Sequence, residues 1–184
     1  MKIDLTLPKE SLPNDIENSE LFQQGHLGTH LDVMDKQFSF TQEKFNGIIF
    51  DVHSIRDRDI DIDDISLSMI QENDFVLFFT NFINEHPYGS EPYRHEHPQL
   101  SPSLIDALLE KHISFIGLDC AGMRRGKEHS LYDQHCANQN IFVIENLCHL
   151  EKLIQKTSDN RCTIYISPIS TTGKSGIPCK VEAE

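Results

Sequence analysis

Short apolar segments recur along this chain and constrain its fold more than any other feature. Five of them are rich in β-branched and aromatic residues and are flanked by polar or turn residues, which is typical of buried strands. They are residues 47–52 (GIIFDV), 75–80 (FVLFFT), 113–119 (ISFIGLD), 141–145 (IFVIE) and 162–167 (CTIYIS). Residues 2–7 (KIDLTL) alternate between polar and apolar side chains, which predicts a further strand.

Two helices are predicted in the second half of the chain. Ser101 is a favourable N-cap, and Pro102 suits the first helical position that follows it. Ser130, with Asp133 three residues later, resembles a capping box and predicts a second helix that ends near Gln139. Strands that alternate with helices predict an α/β fold with a central β-sheet covered by helices. The apolar face of the first helix is formed by Leu104, Ile105, Leu108 and Leu109.

The length of 184 residues predicts a single domain over residues 1–184, and the composition excludes several classes of function. A formal net charge of −13, with only 16 Lys and Arg, argues against a basic face for nucleic acid and disfavours anionic membranes. The first ten residues hold no apolar signal segment and no run could span a bilayer, so a cytoplasmic protein is expected. Five cysteines without a CxxC pair favour reduced thiols over disulfides or a zinc-thiolate site.

One segment, residues 25–36 (GHLGTHLDVMDK), carries the groups best suited to chemistry. His26, His30 and Asp32 offer two imidazoles and one carboxylate, which suit Zn²⁺ or Mn²⁺. Gly28 favours a tight turn followed by a short strand, in which His30 and Asp32 point to the same face. On spacing alone, a metal site and two surface histidines in a polar loop are equally well supported.

The segment His26-Leu27-Gly28-Thr29-His30-Leu31-Asp32 resembles the HxGTHxD core of the cyclase family, which includes bacterial-type kynurenine formamidases and isatin hydrolase. This resemblance implies a metal-dependent hydrolase with a swivelling β/β/α fold around a central mixed β-sheet flanked by helices. It also implies a homodimer or higher homo-oligomer, because relatives commonly form dimers. Further stretches that carry the resemblance are IDL at 3–5, HPQLSP at 97–102, GLD at 117–119, DxH at 133–135, ENL at 145–147 and GIPCKVEAE at 176–184.

In such enzymes the two histidines and the aspartate of the motif bind the metal, and a later His and Glu complete the site or hold a second ion. His135 and Glu145 match those later positions, so the resemblance implies metal-binding and catalytic roles for both. Without the resemblance, Glu145 reads as an acid at the end of a strand and His135 as an exposed helix residue.

The chain departs from the family pattern directly after the motif. The pattern usually continues as HxDxPxH, but Met34 replaces the proline and Lys36 stands where the last histidine, a proton shuttle or extra ligand, is expected. Lys36 could carry a proton if burial or a nearby cation lowered its pKa, and a solvated lysine is the alternative. The departure leaves a second metal open, and kynurenine formamidase activity itself is not predicted.

Three residues are candidates for substrate binding. Arg124 and Arg125 follow a predicted strand, where loops often bind ligands, and could hold a carboxylate or phosphate; the alternative is a solvated basic turn. Residues 84–100 are predicted to form a long loop of the kind that often acts as a lid. His97, in this loop, matches a family position near the site.

The predicted reaction is hydrolysis of a C–N bond in an amide, formamide or cyclic amide by a metal-activated water. Asp32 would fix the ion, and Glu145 or Lys36 would carry a proton to the leaving nitrogen. Two other classes stay open. The first is a non-catalytic, metal-dependent protein that binds small ligands, or a degenerate relative of the same fold. The second is a lyase or dehydratase that uses the same metal.

Overall fold

The computed structural model describes residues 1–12, 19–38, 44–169 and 174–184. The strands are β1 (Ile3–Asp4), β2 (His30–Asp32), β3 (Lys44–Asp51), β4 (Phe75–Phe79), β5 (Phe115–Leu118), β6 (Phe142–Glu145), β7 (Arg161–Pro168) and β8 (Gly176–Ala183). The α-helices are α1 (Glu20–Gln24), α2 (Phe82–Glu85), α3 (Glu91–His95), α4 (Pro102–Glu110), α5 (Glu128–Ala137) and α6 (Leu150–Lys156). Short 3-10 helices cover Lys9–Ser11, Ile62–Asp64 and Leu67–Met69.

The eight strands form one mixed sheet in the order β1-β8-β2-β6-β5-β4-β3-β7. Strands β3 to β6 are parallel to one another, whereas β2, β7 and β8 pair with antiparallel neighbours. Strand β7 also pairs with β8, so the sheet closes on itself as a barrel with helices outside it. The predicted α/β fold, with a mixed sheet flanked by helices, is therefore confirmed.

Both faces of the central strands are buried, which explains why their sequences are apolar without a break. In β4, Phe75 and Leu77 belong to a core that the closed sheet surrounds, together with residues of β2, β7 and β8. Val76 and Phe78 point to the opposite face and pack in a second core with α4 and α5. The alternation of side chains along a strand thus divides the apolar residues between two cores.

The two predicted helices are present, but only the first begins where its sequence pattern predicted. The hydroxyl of Ser101 accepts a hydrogen bond from the backbone N–H of Leu104 at 3.0 Å, as expected for the N-cap of α4. The predicted cap at Ser130 is wrong, because α5 already begins at Glu128. Arg124 donates to the Glu128 carboxylate from Nε at 3.0 Å and from Nη2 at 2.6 Å, and this pair holds the first turn.

The predicted loop at residues 84–100 contains the end of α2 and the whole of α3. Ser90 caps α3 by accepting from the backbone N–H of Tyr93 at 3.3 Å, and Pro92 lies in its first turn. This is the same Ser and Pro signal that predicted α4, so the sequence did contain it. None of the helices within the described ranges is long and apolar enough to cross a membrane.

Candidate metal centre and active site

Strand β2 brings the central residues of the site together. It lies between β6 and β8, with His30 directly opposite Glu145 and Asp32 opposite Val143. Leu31 points into the core inside the closed sheet, so its neighbours His30 and Asp32 point to the other face, as the period of a strand requires. Glu145 shares that face because directly opposed residues in paired strands project to the same side.

His26 reaches the same place from the turn that precedes β2. Gly28 in this turn has a φ of 66°, a backbone conformation that favours glycine and supports the predicted tight turn. Nδ1 of His26 lies 2.8 Å from Oδ1 of Asp32, and Nε2 of His30 lies 3.3 Å from the same oxygen. The donor atoms of His26, His30 and Asp32 all lie within 4.8 Å of one another.

Helix α5 adds a histidine and a carboxylate that the sequence analysis did not assign. His129 and Asp133 are four residues apart on α5, and Nε2 of His129 lies 3.2 Å from Oδ2 of Asp133. The same nitrogen lies 3.3 Å from Oε1 of Glu145. With Asp32 these three residues form a second group of potential ligands, also within 4.8 Å of one another.

The burial of these carboxylates fits a bound divalent cation. Both oxygens of Asp32 and Oε1 of Glu145 are buried and accept no hydrogen bond of good geometry from the described residues. Buried carboxylate oxygens without donors are costly, and a cation would satisfy them. Imidazole nitrogens with carboxylate oxygens are a donor set that Zn²⁺ and Mn²⁺ accept. The residues present therefore fit the metal that the sequence motif predicts.

The titration of the cluster is uneven. Burial alone would raise the pKa of Asp32, but the neighbouring charge of His30 and the imidazole nitrogens of both histidines, at 2.8 and 3.3 Å from Oδ1, hold it below its ordinary value. Burial raises the pKa of Glu145 well above its ordinary value, and the negative charge of Asp32 raises it further. Burial and Asp32 do the same to the pKa of Asp133. Metal binding at such a site is expected to release protons.

A chain of hydrogen bonds fixes the ring of His30. Its Nδ1 donates to the backbone oxygen of Gly28 at 2.8 Å, which leaves Nε2 facing the cluster. The side chain of Asn146 donates to the same backbone oxygen at 2.9 Å. The hydroxyl of Tyr93 donates to Oδ1 of Asn146 at 2.6 Å. His30 is thus oriented by residues that lie outside both groups of potential ligands.

The cluster opens into a cavity of about 630 Å³, a size that suits a small organic ligand. Its floor contains His30 and Glu145, which are buried, and its walls are largely apolar and aromatic. The other residues that line it are Ser19, Leu21, Gln24, His26, Leu27, Met34, Tyr88, Gly89, Tyr93, Arg94, Ala121, His129, Ser130, Asp133, Asn146 and Ser175.

The structure does not bring His135 to this site. Its ring is 45% exposed, and Nε2 lies 2.9 Å from Oδ1 of Asp106, outside both groups of potential ligands. His135 follows Asp133 by two residues, which places it on another side of a helix that advances by about 100° per residue. No role at the site was predicted for His129 or Asp133, and their spacing of four residues on a predicted helix was the available signal.

Three other predicted residues also lie away from the cavity. The ammonium group of Lys36 lies 3.0 Å from Oδ1 of the exposed Asp35. Arg124 is buried between Glu128 and Asp59, and it also donates to the backbone oxygen of Leu100 at 2.8 Å. Arg125 donates to the backbone oxygen of His95 at 3.0 Å. None of the three lines the cavity as the described residues form it.

His97 is buried next to the ring of Phe82 and does not line the cavity. Burial lowers the pKa of His97 from 6.5 to about 4, although its Nδ1 donates to the backbone oxygen of Pro98 at 3.1 Å. The unfolded chain takes up a proton as the pH falls below 6.5, whereas the folded chain does so only near 4. The stability that the neutral His97 contributes is therefore fully present above pH 6.5, and it is lost as the pH falls toward about 4.

We expect this difference to cost up to about 3 kcal/mol of unfolding free energy across that interval. Urea unfolding at about pH 7 and about pH 5 measures the loss. A His97→Asn variant retains a donor for Pro98 but no group that titrates in this range, so it should lose less stability than the wild type. An equal loss in both proteins would contradict the assignment.

Gly122 leaves the space that the His129 ring occupies. Its φ of 123° is one that residues with a Cβ rarely adopt. A Cβ at this position would lie 2.7 Å from Nδ1 of His129 and 2.9 Å from Oε1 of Glu145. We expect Gly122→Ala to displace both groups, to weaken metal binding, and to cost about 1–3 kcal/mol of stability through backbone strain. Metal titration and thermal unfolding of the variant test this, and wild-type values for both would refute it.

Comparisons with known proteins agree with this fold. A family model described as a putative cyclase matches residues 3–124, which include the His26 to Asp32 motif but end before α5. No curated protein sequence matches the chain.

Solved structures match over the whole chain. A potential metal-dependent hydrolase with cyclase activity is 22% identical, with a TM-score of 0.72 over 100% of this chain and 96% of that one. A predicted metal-dependent hydrolase from Bacillus stearothermophilus is 21% identical, with a TM-score of 0.70 over 100% and 97%. Isatin hydrolase A from Ralstonia solanacearum is 16% identical, with a TM-score of 0.76 over 100% and 91%. At such identities the likeness shows a shared fold.

Proposed function

The chain belongs to the putative cyclase family, and on that premise we propose that it is a metal-dependent hydrolase that cleaves the C–N bond of an amide, formamide or cyclic amide. The observation that carries the proposal is the convergence of His26, His30 and Asp32 at a cavity whose floor also holds Glu145. The relatives in solved structures are named as metal-dependent hydrolases, and one is named as an isatin hydrolase, which supports this class of reaction.

His26, His30 and Asp32 would hold the ion, with Nε2 of His30 and the two unsatisfied oxygens of Asp32 as donors. A bound Zn²⁺ or Mn²⁺ supplies a Lewis acid that acidifies water and polarises a carbonyl group. Asn146 and Tyr93 keep His30 in position through the backbone oxygen of Gly28, so the site is organised before substrate arrives.

Hydrolysis adds water to the carbonyl carbon, breaks the C–N bond, and releases the nitrogen with a proton. Glu145 and His129 would move that proton, and the 3.3 Å between Oε1 of Glu145 and Nε2 of His129 supports this role. Asp133 holds the same imidazole nitrogen from the next turn of α5 at 3.2 Å. Lys36 takes no part in this proposal, since it pairs with Asp35.

The test is an assay of the chelator-treated protein, reloaded with Zn²⁺ or Mn²⁺, on formanilide, isatin and a simple lactam. We expect turnover only with metal, and release of a carboxylate together with an amine or, from a cyclic amide, of the ring-opened product. Thermal stabilisation by these compounds without turnover would favour a metal-dependent binding protein instead. Metal-dependent turnover without C–N cleavage would favour a lyase or dehydratase.

A further inference from the structure

One wall of the cavity carries a positive charge that neither the metal nor the proposed chemistry uses. Tyr88, Gly89, Tyr93 and Arg94 all line this wall and come from the segment around α3. We propose that Arg94 binds a carboxylate of the substrate, so that the substrate class is an aryl amide with a carboxylate at the end remote from the C–N bond. The inference rests on the proposed function and names the substrates of that same site.

Arg94 stands at the rim of the cavity and the metal-binding groups stand at its floor. Arg94 is exposed to solvent, whereas His30 is 2% exposed and Glu145 is 3% exposed, although all three line the same cavity. A ligand that reaches from the cluster to Arg94 must therefore run from the buried end of the cavity to its opening.

The guanidinium of Arg94 is held in place but not neutralised. Its Nε donates to the backbone oxygen of Gly89 at 2.8 Å, which fixes the plane of the group. Tyr93, the preceding residue of α3, is 1% exposed and anchors the helix to Asn146. Within the described ranges no carboxylate forms an ion pair with Arg94, and Glu91 of the same helix lies 3.5 Å from His95 instead. Nη1 and Nη2 therefore remain available for the two-pronged binding of a carboxylate.

The charges around Arg94 make a carboxylate the fitting ligand group. The chain has a net charge of −13, and the floor of the cavity contains Asp133 and Glu145. Among the described residues that line the cavity, Arg94 is the single lysine or arginine. The charge of Arg94 thus attracts an anionic substrate end to the rim, so that the uncharged amide extends toward the cluster.

Much of the surface that lines the cavity is apolar. Leu21, Leu27 and Met34 line the cavity together with the rings of Tyr88 and Tyr93, whose centroids are 5.5 Å apart. Such walls favour an aromatic body between the carboxylate and the amide. The predicted anion-binding residues Arg124 and Arg125 lie outside the cavity, so Arg94 replaces them in this role.

A matched pair of substrates tests the proposal, with 4-formamidobenzoate as the anionic member and formanilide as the neutral one. We expect the wild type to prefer the anionic member in kcat/KM by about tenfold, the value of one partly exposed charged hydrogen-bond pair. Arg94→Gln should abolish the preference by raising KM for 4-formamidobenzoate, and Arg94→Lys should retain part of it. Arg56→Gln is the control, because Arg56 is an exposed arginine that pairs with Glu85 and does not line the cavity.

The inference would be overturned if the wild type showed no preference for 4-formamidobenzoate, or if the preference persisted in Arg94→Gln. Metal-dependent turnover of formanilide would still support the proposed function in either case. If neither compound is turned over, the proposed function fails and binding decides the inference. Calorimetry would then compare 4-aminobenzoate with uncharged 4-aminobenzamide. Tighter binding of the carboxylate that disappears in Arg94→Gln supports the inference, and equal affinities in the wild type overturn it.

Discussion

Replacement of Asp32 by asparagine is expected to lower the affinity for Zn²⁺ or Mn²⁺ by more than about 100-fold, since loss of an outer partner alone costs 10–100-fold. Asp32 belongs to both groups of potential ligands, and both of its oxygens are buried and accept no hydrogen bond of good geometry from the described residues. Asparagine keeps the shape but removes the charge that attracts the ion, and it turns one acceptor into a donor. Metal-dependent hydrolysis should disappear with the metal.

Metal content after dialysis, and the rise in melting temperature on metal addition, measure this effect. Asp35→Asn is the matched control, because Asp35 lies three residues further along the same segment but is 66% exposed and pairs with Lys36. The control variant should bind metal as the wild type does. Wild-type metal affinity in a folded Asp32→Asn protein would refute the assignment of the metal centre.

Replacement of His129 by alanine is expected to lower kcat by at least about 100-fold, the usual contribution of a positioned acid or base. His129 is the imidazole that α5 places between Asp133 and Glu145, at 3.2 and 3.3 Å. The same substitution at His135 should change kcat by less than about twofold, because surface substitutions remote from a site have small effects. His135 lies on the same helix, but its ring contacts Asp106 rather than the cluster.

The pair of variants separates two assignments that differ by six positions in the chain. Steady-state kinetics with the best substrate of the panel, together with thermal unfolding of each variant, is the measurement. Loss of activity in His135→Ala with retention in His129→Ala would restore the assignment implied by the family pattern. It would also remove His129 from the proposed mechanism.

The fold was predicted well where local sequence sets the structure. The segment at 75–80 forms β4 (Phe75–Phe79), and Ser101 caps α4 as its hydroxyl chemistry requires. The prediction failed at Ser130, because α5 already begins at Glu128, whose carboxylate pairs with Arg124. The closure of the sheet was not predicted either, since pairing of β7 with β8 joins segments whose own sequences specify only that they are strands.

The site divides in the same way. The seven residues from His26 to Asp32 contain both the turn and the strand that align their side chains, so three potential ligands were readable from spacing and resemblance. Glu145 was assigned by resemblance, and the structure places it opposite His30 across the pair β2 and β6. The position of Arg94 in the cavity could not be predicted from the sequence, because the cavity is formed by elements that are distant in the chain.

The sequence by itself determined the class of fold and the grouping of two imidazoles with one carboxylate, because both depend on neighbours within a few residues. Tertiary structure alone decided that His129 rather than His135 faces the cluster. The sequence of a helix fixes which side chains share a face, but the packing of the helix decides which face lies against the sheet. It also decided that Arg94 rather than Arg124 remains available for a ligand. Arg124 forms an ion pair with Asp59, a residue 65 positions away in the chain. Partners so distant in sequence cannot be identified from local sequence patterns.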